Sequence, residues 1–248
     1  MYTKIKTDQE IEDIRESGRM TAEILRLLKQ KVEPGATTQD MADIAFREIR
    51  AFGTEAAFLG YQGFPSVICI SVNDEIVHGI PGPRVIEKGD LVSFDFGVKH
   101  NGMITDSAVT VEVGAKTEEM QRLLAGTEES LMAGIRAVKG PTRVGDIAAA
   151  VQEVLERYGY GIVRDMVGHG VGHMVHEDPN IPNYGRAGSG ELLSPGMTIA
   201  IEPMSTIGDY HVKTDADGWT IRTQDGSLSA HFEHTVLITE TGYEIITQ

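Results

Sequence analysis

Apolar residues recur at helical spacing in four stretches of the chain and at strand-like density between them. Ile11, Ile14, Ile24, Leu25 and Leu28 share one face of a helix that opens on a capping box, Thr7 with Glu10, and runs to about Lys31. A second helix is predicted over 38–52, ending at Gly53; a third over 117–138, before Gly140; and a fourth over 144–158, ending at Gly159. Glycine directly behind a helix suits a left-handed C-cap. Runs over 67–72, 91–98, 103–113, 198–202 and 232–239 read as strands, so helices alternate with sheet in an α+β or α/β class.

The pattern also repeats. Residues 32–53 align without a gap on 138–159 at an offset of 106, which pairs Asp40 with Asp146 and Gly53 with Gly159. An offset of 107 then sets Asp95 on Glu202, each at the end of a short strand. The alignment predicts one domain over 1–248 with related halves, roughly 1–115 and 116–248, and carboxylates at equivalent places in both.

Charge narrows the function. With 22 Lys and Arg against 37 Asp and Glu, the net charge of −15 excludes nucleic acid or an anionic membrane as the main partner. A single cysteine, Cys69, allows neither an internal disulfide nor a zinc site built on several cysteines. Residues 1–16 are rich in charge, and no apolar run approaches the roughly 20 residues of a membrane span, so a cytoplasmic protein is expected.

Candidate chemistry lies on the strands. Asn101-Gly102 suits a type I′ turn between 91–98 and 103–113, a register that sets Asp95 opposite Ala108 with Asp106 diagonal on the same face. Two such carboxylates read either as solvated acids on an exposed face or as ligands of a cation that relieves their repulsion. His169, His173 and His176 fall within eight residues among glycines. If that segment is extended, His169 and His173 share one face and His176 takes the other. Glu202, held extended ahead of Pro203, and Glu233 each interrupt an apolar strand, where a carboxylate is costly without a partner charge or metal.

The segments Ser71 to Pro81, Asp95 with Asp106, Gly168 to Gly172 continuing to Pro179, Ile201 to Met204, and Glu233-His234-Thr235 closely resemble type I methionine aminopeptidases over almost the whole chain. The resemblance implies the α+β pita-bread fold, with a central antiparallel sheet flanked by helices. It further implies that Asp95, Asp106, His169, Glu202 and Glu233 hold two divalent metal ions (Co, Mn, Fe(II) or Zn) and that His78 and His176 act on the substrate. Glu202 would take a proton from a hydroxide or water bridging the metals as it attacks the scissile carbonyl. His176 would stabilise the carbonyl oxygen, and His78 would sit near the amide nitrogen. Phe58, Tyr61, Phe64, Cys69 and Trp219 resemble the methionine pocket, whose aromatic walls suit a thioether. Two positions depart from the family: Phe58 stands where a smaller residue is frequent, and Gln62 where many bacterial members have histidine. His173 carries no family role.

The implied partners are nascent polypeptide N-termini and short Met-initiated peptides with a small second residue, with transient ribosome contact and a monomeric state. By the same steric rule Tyr2 would protect Met1. The short path from His176 to Glu202, and the lack of a zinc-finger extension before the first helix, suit the compact bacterial form. Two readings compete: a proline-directed peptidase of the same fold, such as prolidase or aminopeptidase P, which usually carries a large N-terminal domain, and a catalytically dead module, which would have lost metal ligands.

Overall fold

A computed structural model describes residues 5–114 and 117–248. Met1, Tyr2 and the expected boundary between the halves at 115 and 116 lie outside the described residues. Helix α1 (Asp8–Lys31) begins as its capping box requires: the Glu10 N–H donates to Thr7 Oγ1, and Glu10 Oε2 accepts the Thr7 N–H at 2.8 Å. The same reciprocal cap, Thr37 with Asp40, starts α2 (Thr38–Ala51). Thr117 caps α3 (Glu118–Ala137), and α4 (Val144–Tyr158) stops at Gly159, whose φ of 77° is the left-handed conformation expected there. The starts of α2 and α4, Thr38 and Val144, differ by the offset seen in the sequence.

In the first sheet Leu91–His100 pairs antiparallel with Cys69–Val72, Glu55–Ala56 and Met103–Glu112. Asn101 and Gly102 take φ values of 47° and 87°, so the turn is type I′ and the hairpin has the expected register, Asp95 to Ala108 and Gly97 to Asp106. The second sheet runs Tyr243–Ile245, His234–Ile238, Thr198–Ile201, Gly168–Gly170, Glu177–Ile181. Ile24 and Leu28 of α1 with Met41 and Ile49 of α2 pack on Ile70, Phe94 and Phe96 of the first sheet. Leu123 and Ile135 of α3 with Ile147 and Leu155 of α4 cover Ile199, Ile201 and Val236 of the second. Each such fully buried side chain contributes about 1.5–3 kcal/mol.

The hairpin and the 231–235 segment are sewn together by side chains. Thr235 Oγ1 donates to Asp106 O at 2.8 Å and accepts the Asp106 N–H at 2.9 Å. The Glu233 N–H donates to Ala108 O at 2.9 Å, and Ser107 Oγ donates to Glu233 O at 2.8 Å. Two expected strands stop short of the acids. Thr198–Ile201 ends before Glu202 and its proline, and the other begins at His234 because the Glu233 backbone has turned to Ala108. Among the described residues no helix is long and apolar enough to cross a membrane.

Candidate active site

The two sheets meet at acids. Asp95 and Asp106 stand on neighbouring strands of the hairpin, His169 lies in Gly168–Gly170, and Glu202 and Glu233 occupy the breaks in strand structure beside the seam. All five side chains are withdrawn from solvent. His169 Nε2 is 3.9 Å from Asp106 Oδ2 and 3.5 Å from Glu202 Oε1. Ligand atoms of Asp106, His169 and Glu233 lie within 4.8 Å of one another.

The electrostatics of this group call for a cation. Burial first, and the neighbouring carboxylates second, push Asp95, Glu202 and Glu233 well above the usual carboxylate range; burial raises Asp106 too. Among the described residues no lysine or arginine ion pair reaches these four acids, and Asp106 Oδ1 and Glu233 Oε1 are buried without a hydrogen-bond partner. Several kcal/mol per ion is the usual cost of burying charge this way. His169 completes the set: burial lowers its pKa to about 3, and Nδ1–H donates to Gly170 O at 2.9 Å, which leaves the Nε2 lone pair facing the acids. Oxygen-rich donors with one imidazole fit divalent metal ions.

Above the acids opens a cavity of about 210 Å³. Phe58, Tyr61, Phe64, Cys69 and Trp219 all line it, together with Gln62, Val77, Met166 and Met204. Phe64 and Trp219 meet edge-on at 5.1 Å between centroids, and His78 approaches Trp219 at 6.4 Å. His78 holds a φ of 61°, uncommon for a side-chain-bearing residue, at the exit of the strand Glu75–Val77. Burial and the nearby His176 lower its pKa to about 4. His176 Nδ1 lies 3.0 Å from Tyr61 Oη.

One expectation is overturned. The 169–176 segment is extended only as far as Gly170; Gly172 then takes a φ of 142°, and Glu177 Oε1 accepts the N–H groups of His173 and Met174. This turn brings the His176 ring against that of His169, 4.3 Å between centroids, and sends His173 to Glu10, Nε2 to Oε1 2.8 Å. His169 and His173 therefore do not share a face. Sequence reading also missed His231, fully buried with Nε2 3.3 Å from Glu202 Oε2. Its place two residues before Glu233, on one face of an extended chain, was the available signal.

Residues 12–240 match the model of metallopeptidase family M24. The chain belongs to this family. Methionine aminopeptidase 1 of Bacillus subtilis (strain 168) is 47% identical to this M24 chain over 243 residues, 98% of each. A crystal structure of methionine aminopeptidase from Thermotoga maritima matches with a TM-score of 0.97 and 44% identity, covering 99% of both chains. A prolidase from Pyrococcus furiosus matches at 0.79 and 26%, with 98% of this chain but 65% of that one covered. The architecture is thus the α+β pita-bread fold, and this M24 member, with its buried Asp, His and Glu donors, is a metal-dependent hydrolase.

Proposed function

We propose that this M24 hydrolase removes the N-terminal methionine from nascent proteins and short peptides when the second residue is small. One observation carries the reading: an apolar, aromatic-walled cavity opens onto a buried set of four carboxylates and an imidazole. The near-full-length similarity to the Bacillus subtilis methionine aminopeptidase supports it.

Asp95, Asp106, His169, Glu202 and Glu233 would hold two divalent ions, drawn from Co, Mn, Fe(II) or Zn; four carboxylates balance the charge of two such ions. Bound ions supply Lewis acidity and lower the pKa of water. The protein's own groups do the rest. Phe58, Tyr61, Phe64, Cys69 and Trp219 receive the thioether side chain. With Tyr61 O–H as donor to His176 Nδ1, 3.0 Å away, the ring proton would sit on Nε2 and donate to the scissile carbonyl oxygen. His78, neutral at pH 7, sits beside the scissile amide nitrogen. Glu202 accepts the proton of the attacking water at its carboxylate and returns it to the leaving amine. Residues 1–248 act as one catalytic domain of two related halves, 1–115 and 116–248, in a cytoplasmic monomer that meets nascent chains through transient ribosome contact.

Metal-free protein reconstituted separately with each of the four metals, and assayed on Met-Ala-Ser and on an X-Pro peptide, tests the reading. Methionine release from the first without cleavage of the second is the expected result. Cleavage of the X-Pro peptide alone, or no cleavage with any metal, overturns it.

A further inference from the structure

The segment that leads into α1 is pinned to the turn that carries His176. Lys6 Nζ lies 3.1 Å from Glu177 Oε2, and the two side chains are 0% and 1% exposed. The other oxygen, Glu177 Oε1, accepts the N–H groups of His173 at 2.7 Å and Met174 at 3.1 Å. One carboxylate thus closes the turn 173–177 from inside, and Lys6 supplies the charge that makes its burial tolerable. Lys6 is itself fixed: its N–H donates to Gly196 O at 2.8 Å, and its stem crosses Gly172 so closely that a Cβ there would meet Cε at 2.5 Å. A second tie joins the same two segments, Glu10 Oε1 to His173 Nε2 at 2.8 Å.

Neither Lys6 nor Glu177 lines the cavity. The residue before Glu177, however, is His176, whose Nδ1 must stay 3.0 Å from Tyr61 Oη if its proton is to remain on Nε2. Locking the Glu177 carboxylate against three donors locks the backbone on which that imidazole is mounted. We propose that Lys6 is a positioning residue: its buried pair with Glu177 holds the 173–177 turn so that His176 meets Tyr61 and presents its free nitrogen to the substrate. The inference rests on the aminopeptidase reading above, because it takes His176 as the group that touches the substrate carbonyl.

A double-mutant cycle separates this role from plain structural support. Lys6→Met in the metal-loaded full chain lowers kcat on Met-Ala-Ser about tenfold or more and changes KM less than about threefold, the pattern of a lost transition-state contact. In a His176→Ala background the same substitution brings no further loss, because both act through one imidazole. Ring nitrogen NMR supplies a readout independent of turnover: the His176 signals shift in Lys6→Met, while those of the exposed His211 do not. Should Lys6→Met fail to fold, Glu177→Gln goes through the same cycle, since its amide oxygen still accepts both N–H groups while the charge pairing with Lys6 is lost. Unchanged kcat with unshifted His176 signals overturns the proposal, as do losses that multiply fully in the His176→Ala background. A wild-type chain that fails to cleave Met-Ala-Ser whichever of the four metals is supplied overturns the aminopeptidase reading instead, and the NMR arm still decides where Lys6 acts.

Discussion

In the proposed mechanism the Tyr61 hydroxyl, 3.0 Å from His176 Nδ1, sets which ring nitrogen carries the proton without touching the reacting bond. Tyr61→Phe keeps the aromatic wall and is expected to lower kcat about tenfold with metal content unchanged; a variant of wild-type kcat would remove the hydroxyl from the mechanism. His176→Ala is expected to keep its metal and lose about 2.7–4 kcal/mol of transition-state stabilisation, the scale of one oxyanion donor. Loss of metal from that variant would make His176 a ligand. His78 offers a test by pH. Its pKa falls from 6.5 to about 4 on folding, so below pH 6.5 the unfolded state binds more protons than the folded one. The associated stability is complete above pH 6.5 and is lost as pH falls toward 4. His78→Asn, which tolerates the left-handed backbone, is expected to flatten the stability profile of metal-free protein by about 1–2 kcal/mol between pH values of about 7 and 5. Equal slopes in denaturant titrations of the two proteins would count against a neutral, buried His78.

At the level of elements, the hairpin and the seam place the acids. Thr235→Val keeps the shape of the side chain but removes both hydrogen bonds to the Asp106 backbone, leaving buried groups unpaired at a cost of about 1–3 kcal/mol. Its metal affinity should fall along with its thermal midpoint, since Asp106 is carried on that backbone; a variant that loses stability yet binds metal as wild type does would show the seam to be support only. Much of this level was legible beforehand. The cap at Thr7, the glycine at 159 and the turn at Asn101-Gly102 are signals spread over one to four residues, and they set those helix limits and the Asp95–Asp106 register correctly, whereas the Thr37–Asp40 box emerged only in the structure. The 169–176 segment was not legible, because its turn depends on a carboxylate at 177 and a glycine φ, neither visible as periodicity.

For the whole molecule, the buried acids at the junction of the sheets tie stability to pH and, if they hold metal as proposed, to metal as well. Their pKa values are raised in the metal-free fold, so that fold is relatively favoured below the ordinary carboxylate range and loses stability as pH rises through the raised values. Metal bound at the proposed site would displace those protons, so its stabilising effect is expected to grow with pH. Added Mn should raise the thermal midpoint more at about pH 7.5 than at about pH 5.5; an equal gain at both would argue that the acids are not the binding groups. Helix ends and hairpin register followed from the sequence, because caps and turns are set by near neighbours; Asp95, Asp106, His169, Glu202 and Glu233 stood out there as candidates, but their choice as one donor set rested on the family resemblance. Only the tertiary structure decided that Glu233 and Asp106 meet across a seam whose bonded residues lie 129 apart, that His231 faces Glu202, and that Lys6 reaches Glu177 across 171 residues. Those contacts exist because two helix-backed sheets pack with their acids inward, and the packing of one sheet on another has no signature within any window of the chain.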